Sequence, residues 1–474
     1  MLVLGHDVTT GKEVSLSAED RKQGTYIVGI NGTGKSTLLL NIALADIRAG
    51  DGLCVLDPHG DLITKLLLRI PSQRVVDVIL FDPADVEFPF GLNLFECVDI
   101  DNPMQVDRVC SEAIGTFYKL FSESWGPHME DLLRNTALTL IENPGATMAD
   151  IPRLLTDANY RAPFVSKLHN EDVRGFWEYT YNPQKGRDLL EYNRSTLNKV
   201  RRFLLNKVIR NIVGQPQSSI DLRRIMDEGK VLLVNLSKGR LGEDNSALLG
   251  SVLVGKILVA ALSRANIPEE ERRAFHLIVD EYQSFATSSF PTLQSEARKF
   301  NIDTIVAHQY RDQLDLSNKG STLNAGNKIV FRVNGRDAAE LAAEFDNTPP
   351  TPERRMEPMY RPLGGQERLY TTGDGRVYQE VEGLRRPYSD VQAETANRLT
   401  NLPKFQALCK LVLGEQLVEY HIKTLKDQGT PKEEVVVQIK EQSRRYGRPR
   451  AEVEEDLRQR GNLDLRSVIP VEQK

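Results

Sequence analysis

Cysteine is scarce in this chain: four in 474 residues, at positions 54, 97, 110 and 409, with no C-x-x-C pair among them. Neither a zinc site nor a disulfide framework is therefore indicated, and free thiols suit a reducing cytosol. Long apolar runs are missing too. The longest, Leu248 to Leu262, is interrupted by Lys256 and reads as too short to span a bilayer. The opening Met1-Leu2-Val3-Leu4-Gly5-His6 lacks the apolar core of a signal peptide. A cytoplasmic chain is expected, with no transmembrane segment of its own, held at the inner membrane only through a partner. Nor is positive charge in excess: 61 Lys and Arg face 66 Asp and Glu, a net charge of −5. That balance argues against a general basic coat for nucleic acid while leaving room for a local basic channel. Internal repeats and low-complexity tracts are absent.

What is present centres on residues 25–40, Thr-Tyr-Ile-Val-Gly-Ile-Asn-Gly-Thr-Gly-Lys-Ser-Thr-Leu-Leu-Leu. Gly29 to Ser36 fits G-x-x-x-x-G-K-[ST], preceded by a short apolar strand and followed by a helical pattern. Glycines at 29, 32 and 34 let the backbone wrap closely enough for its N–H groups to face phosphate oxygens. The helix N-terminus adds partial positive charge beneath them. Lys35 is expected on the β- and γ-phosphates and Ser36 on Mg²⁺, with Asn31, Thr33 and Thr37 completing the nucleotide contacts. ATP and Mg²⁺ are the implied cofactors.

The length and 40% apolar content allow a large core and two or three lobes. Residues 1–101 read as a small hairpin followed by the first part of a nucleotide-binding domain, with further strands at Leu53–Leu56 and Val75–Phe81. From 102 to 216 the periodicity is helical, which predicts an inserted all-α lobe. Asn102-Pro103 is a cap with proline at the first helical position, and Thr147 with Asp150 resembles a capping box. One continuous amphipathic helix is expected over Arg194–Ile212. The sheet resumes from 217 to 424, with strands near 231–236, 276–280, 304–307 and 329–333 and a closing hairpin over 405–422. Pro349 opens an irregular, mobile stretch to Gly365. Residues 425–474 form a charged helical tail, started by Thr430-Pro431-Lys432-Glu433, supported by Glu454/Arg458 and Asp456/Arg460 pairs and ended by Gly461. It reads as a solvated appendage, with partner docking or a lid role as alternatives. The fold class is α/β: a RecA-like P-loop domain with a mainly parallel sheet, an inserted all-α lobe and a helical extension.

Hydrolysis needs more than phosphate binding. Phe-His-Leu-Ile-Val-Asp-Glu at 275–281 is an apolar strand ending in two acids, the Walker B arrangement. Asp280 would hold Mg²⁺ through its water shell, and Glu281 would act as general base on the attacking water. Gln309, ending the neighbouring strand, is placed to report the γ-phosphate or the water. Arg298 and the mid-strand Arg332 are the candidate arginine fingers. Asp57-Pro58-His59-Gly60-Asp61 reads as a tight turn in preference to a metal cluster. On the 194–212 helix Arg194, Lys199, Arg201, Arg202, Lys207 and Arg210 occur with no acidic residue, a stripe suited to phosphate backbones or to plain solvation. Lys238, Arg240 and Lys319 are weaker candidates for lining a pore.

Taken together, Gly29–Ser36, the 57–61 turn, a helical insertion before Asp280-Glu281, and Gln309 eleven residues after Arg298 resemble the HerA/FtsK superfamily of hexameric DNA pumps. Within it the chain is most similar to TraG/TraD-type coupling ATPases of conjugative type IV secretion. The resemblance covers roughly residues 25–345. It implies a homohexameric ATP-dependent DNA translocase, with Arg298 as the finger reaching the neighbour's ATP and the all-α lobe on the DNA-entry side. A relaxase or membrane secretion components would be its partners. The phosphate loop starts 29 residues in, without the transmembrane helices usual in coupling proteins or the β-barrel of HerA-type helicases, so a separate subunit is expected to supply any anchor. The alternatives are a protein-secretion or pilus-assembly ATPase that does not grip DNA, a HerA-like helicase, and a slow nucleotide-gated adaptor.

Overall fold

The computed structural model describes residues 1–348, 354–358, 369–371, 377–382, 387–427 and 429–462. The strands are β1 Leu2–Asp7, β2 Glu13–Leu16, β3 Thr25–Val28, β4 Gly52–Asp57, β5 Val78–Phe81, β6 Val231–Asn235 and β7 Phe275–Val279. They continue with β8 Ile302–His308, β9 Asn327–Val330, β10 Arg354–Pro358, β11 Leu369–Thr371, β12 Val377–Glu382, β13 Gln406–Leu413 and β14 Gln416–Thr424. Strands β3, β4, β5 and β7 are buried along their whole length because helices cover both faces, so their sequences run apolar without alternation.

Eleven of these strands form one sheet, in the order β2-β1-β14-β13-β9-β3-β8-β7-β4-β6-β5. From β9 to β5 every neighbouring pair is parallel, and β13, β14, β1 and β2 extend that edge with antiparallel pairs. The N-terminal hairpin thus finishes the sheet through the closing hairpin. Strands β10, β12 and β11 make a separate small sheet.

The helices that position the site are α1 Lys35–Ala49, α2 Asp61–Leu67, α3 Pro103–Phe121, α4 Pro127–Ile141, α5 Gly186–Leu204 and α6 Lys207–Val213. They are followed by α7 Glu243–Ser263, α8 Leu316–Leu323, α9 Glu433–Ser443 and α10 Arg450–Asn462. On one face α1, α2 and α9 bury Leu39, Ile42, Ile63 and Ile439 against the sheet. On the other, α7 and α3 bury Leu253, Ile257, Val109 and Phe117, and this core runs unbroken into the lobe through Leu132, Trp177 and Val200. Asn102 caps α3 by accepting from the N–H groups of Met104 and Gln105, and Thr147 with Asp150 makes the anticipated capping box. By length and composition α7 with the turn after it could cross a bilayer, but 67% of its apolar window is buried inside the protein. Its Lys256 pairs with Glu96 at 3.2 Å.

Several expectations need correction. Val75–Asp77 belongs to a 3₁₀ turn, and the strand starts at Val78. The helix expected over 194–212 is two: α5 ends at Leu204, and the Asn206 side chain accepts from Val208 and Ile209 N–H to start α6. The last strand of the parallel set stops at Val330, so Arg332 lies beyond it and not mid-strand. Part of the stretch 349–365 is strand β10; the rest of it lies outside the described residues.

The tail is not a solvated appendage. Helix α9 begins at Glu433 with Lys432 as its cap, not at Thr430, and α10 runs one residue past Gly461. Ser443 Oγ accepts from Leu80 N–H at 2.9 Å, and Gln442 Nε2 donates to Val78 O at 2.7 Å. These bonds occupy the open margin of β5, the sheet's edge strand, which would otherwise offer a template for pairing with another chain. Instead of the expected pairs, Arg458 meets Glu455 at 2.5 Å, and Arg460 Nη1 donates to Gly145 O at 3.0 Å in the all-α lobe.

A buried charge network lies beneath the site, at the amino ends of β7 and β8. Arg21 forks onto Asp46 at 2.6 and 2.9 Å, and its Nε lies 3.3 Å from Asp303. Asp303 also pairs with His276 Nδ1, and His276 Nε2 lies 3.6 Å from Asp51. Burial disfavours the imidazolium, but Asp303 and Asp46 outweigh it and raise the His276 pKa to about 10. Asp46, Asp51 and His276 are grouped closely enough to hold a metal ion. Arg21 and the imidazolium already supply the positive charge that those carboxylates require.

Candidate active site

The phosphate loop leaves the carboxyl end of β3, in the middle of the parallel strands, where α/β sheets bind ligands. It is tied to both neighbours: Gly29 N–H donates to His308 O at 3.3 Å and Ile30 N–H to Arg332 O at 2.9 Å. Gly32 and Gly34 take φ values of +75° and +125°, where side chains are rarely accommodated. Gly34 is also crowded, since a Cβ there would lie 2.9 Å from the Phe405 ring and 3.3 Å from that of Phe331. Phe405 N–H donates to Thr33 O at 2.7 Å, so the two rings and this bond hold the loop's shape.

Helix α1 starts at Lys35 with Gly34 as its cap and no side-chain bond to its first N–H groups, leaving them directed at the loop's hollow. Lys35 is buried, and its Nζ donates to Gly29 O at 2.5 Å and Ile30 O at 3.4 Å. Burial lowers its pKa, countered by Glu281 and Asp280. Thr33 Oγ1 donates to Ile30 O at 2.8 Å, while Asn31 and Ser36 are exposed and Thr37 is half-buried.

Strand β7 does not adjoin β3; β8 lies between them. Its end delivers Asp280 and Glu281, both buried. Among the described residues Asp280 accepts one hydrogen bond, from Glu281 N–H at 3.0 Å. Burial first, then Asp57 and Glu281, push its pKa up to about 7. A buried carboxyl with spare acceptor capacity beside two other acids is a site for a divalent cation, which supplies the missing charge. Glu281 adopts φ 46° and ψ 52°, a left-handed conformation unusual for glutamate. Its Oε1 accepts from Gln309 Nε2 at 2.9 Å and its Oε2 from Gln283 Nε2 at 2.6 Å. The loop glycines, Lys35, Ser36 and Asp280 therefore fit a Mg²⁺–nucleoside triphosphate.

Asp57 Oδ1 accepts from His59 N–H at 2.8 Å and Oδ2 from Leu62 and Ile63 N–H at 2.8 and 3.1 Å. The 57–61 segment is the tight turn that starts α2. His308 is held between Tyr26 Oη, 2.7 Å from Nε2, and Tyr310 O, 3.1 Å from Nδ1. Burial lowers its pKa to about 3, so it stays neutral.

The two arginine candidates sit at opposite ends of the sheet. Arg298 precedes β8, donates to Gln23 Oε1 at 3.1 Å and is half-exposed. The seven residues of β8 put it about 20 Å from Gln309 at ~3.3 Å per residue, so the two do not meet within one chain. Arg332 stands beside its own phosphate loop, and its buried Nε has no hydrogen-bond partner among the described residues.

The pore candidates carry carboxylate partners from their own chain. Lys238 faces Glu243 at 3.4 Å, Arg240 faces Asp82 at 3.1 Å, and Lys319 faces Asp312 and Glu340 at 3.1 and 3.3 Å. In the basic stripe Arg202 pairs with Asp244, and Lys199 donates to Ser195 Oγ at 2.8 Å. Arg194, Arg201 and Lys207 are exposed and have no carboxylate partner among the described residues.

Sequence reasoning missed Gln283 and Phe405. Gln283 follows the acid pair by two positions, so its proximity to Glu281 was available from spacing. Phe405 was not, because its φ of 64° and its contact with Gly34 arise from a hairpin some 370 residues downstream of the loop.

A glycine loop on a central strand, an acid pair two strands away and a glutamine ending the strand between them define a RecA-like P-loop nucleoside triphosphatase fold. Residues 9–346 match the family described as type IV secretion-system coupling protein DNA-binding domain, and the chain belongs to that family. The type 4 coupling protein DotL of Legionella pneumophila is 20% identical over 411 residues, 73% of this chain and 51% of that protein. The chain thus spans about half the length of this curated relative. The bacterial conjugative coupling protein TrwBdeltaN70, in a trigonal form with sulphate, superposes with a TM-score of 0.56 at 17% identity, over 89% of this chain and 90% of that one. TrwB with ADP and Mg²⁺ gives 0.53 at 17% identity over 91% and 92%. VirB4 of Thermoanaerobacter pseudethanolicus gives 0.50 at 14% identity over 92% and 98%.

Proposed function

We propose that this chain is an ATP-dependent DNA translocase of the coupling-protein kind, hydrolysing ATP at the subunit interfaces of a homohexameric ring during conjugative DNA transfer. The observation that carries the reading is the pairing of Glu281 with Gln309 beside the Lys35 loop, because it joins the base to the strand that borders the nucleotide. The loop N–H groups and Lys35 bind and orient the β- and γ-phosphates. Asp280 and Ser36 would hold Mg²⁺, which would supply charge neutralisation at the phosphate oxygens. Glu281 takes the proton of the attacking water, and Gln309 exchanges its bond to Glu281 for one to the γ-phosphate. Arg298, far from its own loop and half-exposed, reaches the ATP of the neighbouring copy.

DNA as the polymer moved is supported by the exposed Arg194, Arg201 and Lys207, which have no carboxylate partner among the described residues, and by the family's description. A relaxase or membrane secretion components would deliver and receive that DNA. The second reading, a protein-secretion motor, is favoured by the carboxylate partners of Lys238, Arg240 and Lys319, which reduce their availability to phosphates. ATPase rate with and without DNA separates the two. Stimulation that fades with salt supports DNA translocation, and brisk turnover indifferent to DNA supports the protein motor.

A further inference from the structure

The eight residues after Glu281 are more tightly held than a loop leaving an active site needs to be. Tyr282 and Phe285 are fully buried. Tyr282 Oη donates to Asn318 Oδ1, and Asn318 Nδ2 donates to Thr287 O at 3.3 Å, fixing the segment to α8. The ring of Phe285 lies on Gly250 of α7, where a Cβ would come within 2.1 Å of it. Ser251 Oγ donates to Phe285 O at 3.4 Å. Helix α7 therefore has a flattened spot that receives this segment.

Five residues further along, and so on a different side of the helix at about 3.6 residues per turn, α7 has a second flattened spot at Gly255, and it receives the all-α lobe. A Cβ on Gly255 would lie 2.8 Å from Glu112 Oε2 of α3. The same Glu112 Oε2 accepts from Ser289 Oγ at 2.7 Å, and Ser289 Oγ lies 2.9 Å from Thr287 Oγ1. Glu112 is thus a carboxyl set into a slot between two helices, with the end of the post-catalytic segment as its hydrogen-bond donor. A side chain seeking only solvation would not occupy such a slot, and burial raises its pKa.

We propose that Tyr282–Ser289 is the mechanical link between the all-α lobe and the base Glu281, and that Glu112 is the positioning residue that fastens it. The inference rests on the reading of Glu281 as the base. The left-handed backbone at Glu281 leaves it strained, so a small displacement of the segment behind it moves the carboxylate relative to Gln309. A polymer pulling on α3 then alters hydrolysis, and nucleotide state alters α3 in return.

The test uses the full chain and the variants Ser289→Ala, Glu112→Ala and Glu112→Gln. Ser289→Ala and Glu112→Ala should lower the DNA-stimulated kcat by about tenfold toward the unstimulated rate, with KM for ATP unchanged. Glu112→Gln, which keeps an acceptor for Ser289, should restore stimulation. Should Glu112→Ala fail to fold, Ser289→Ala carries the comparison. Amide exchange across residues 103–121 gives an arm independent of DNA. It should change in the wild-type chain on adding a non-hydrolysable ATP analogue with Mg²⁺, and not in Ser289→Ala. Exchange there that ignores nucleotide in the wild type, or full stimulation in both alanine variants, overturns the link. A wild-type chain whose α3 responds to nucleotide, with the response lost in Ser289→Ala, but whose turnover ignores DNA upholds the link and overturns the translocase reading; a response that persists in Ser289→Ala overturns the link.

Discussion

Gln309 Nε2 and Glu281 Oε1 lie 2.9 Å apart, joining the ends of two adjacent parallel strands across the nucleotide edge of the sheet. With Gln283 on the other oxygen, each carboxylate oxygen of Glu281 accepts one amide N–H and keeps a second lone pair for water. Glu281→Gln should lower kcat by about 10²–10⁴-fold while nucleotide affinity persists. Gln309→Ala should lower kcat by about 10²-fold with KM little changed. Steady-state turnover alongside fluorescent-nucleotide titration checks both.

The phosphate loop depends on distant aromatic support. Gly34→Ala meets both a φ of +125° and the Phe405 ring at 2.9 Å, so nucleotide binding should be lost while circular dichroism stays native. Phe405→Ala keeps the backbone bond to Thr33 but removes the ring, and should weaken nucleotide binding less than Gly34→Ala does. Equilibrium titration of the two variants ranks them.

The buried network fixes a pH signature for stability. His276 has a raised pKa, so its contribution is full below its unfolded value of about 6.5 and is lost as pH rises toward and through about 10. Asp303 is buried, yet His276 and Arg21 hold its pKa below the usual carboxylate range. Its contribution is present above its unfolded value of ~3.9 and is lost as pH falls through the folded one. Chemical denaturation should therefore give highest stability in mildly acidic solution. His276→Gln should flatten the alkaline decline and lower the maximum by roughly 3–5 kcal/mol, the cost of breaking a buried pair.

The tail seals an edge. Removing residues 428–474 frees the β5 margin and uncovers the core that Val435 and Ile439 close, so the truncated chain should aggregate. Ser443→Ala should cost about 1 kcal/mol and stay soluble. Light scattering and thermal melts distinguish the two effects.

How much of this was legible depended on range. The loop, the acid pair and Gln309 announced themselves because each is a short run with its chemistry built into adjacent residues. Asn102-Pro103 and Thr147/Asp150 were readable for the same reason. The break at Asn206 was hidden by continuous amphipathicity; only its side-chain cap ends one helix and starts the next. The tail misled because its surface is charged, while Val435, Ile439 and Val453 bury a narrow face that composition does not reveal. Arg332 read as mid-strand because Phe331 and Val333 flank it, though β9 ends at Val330. Phe405 and Glu112 act through contacts far apart in sequence, Phe405 with Gly34 and Glu112 with Ser289, which no local pattern records.

The central claim is that ATP is cleaved between neighbouring copies, with Lys35, Asp280 and Glu281 from one and Arg298 from the next. The most direct measurement mixes Arg298→Ala with Lys35→Ala chains across a range of ratios and follows turnover together with particle mass. Hybrid rings should regain activity, because some interfaces receive an intact Arg298 and an intact Lys35. No recovery at any ratio, or full wild-type turnover from particles with the mass of one chain, would contradict it.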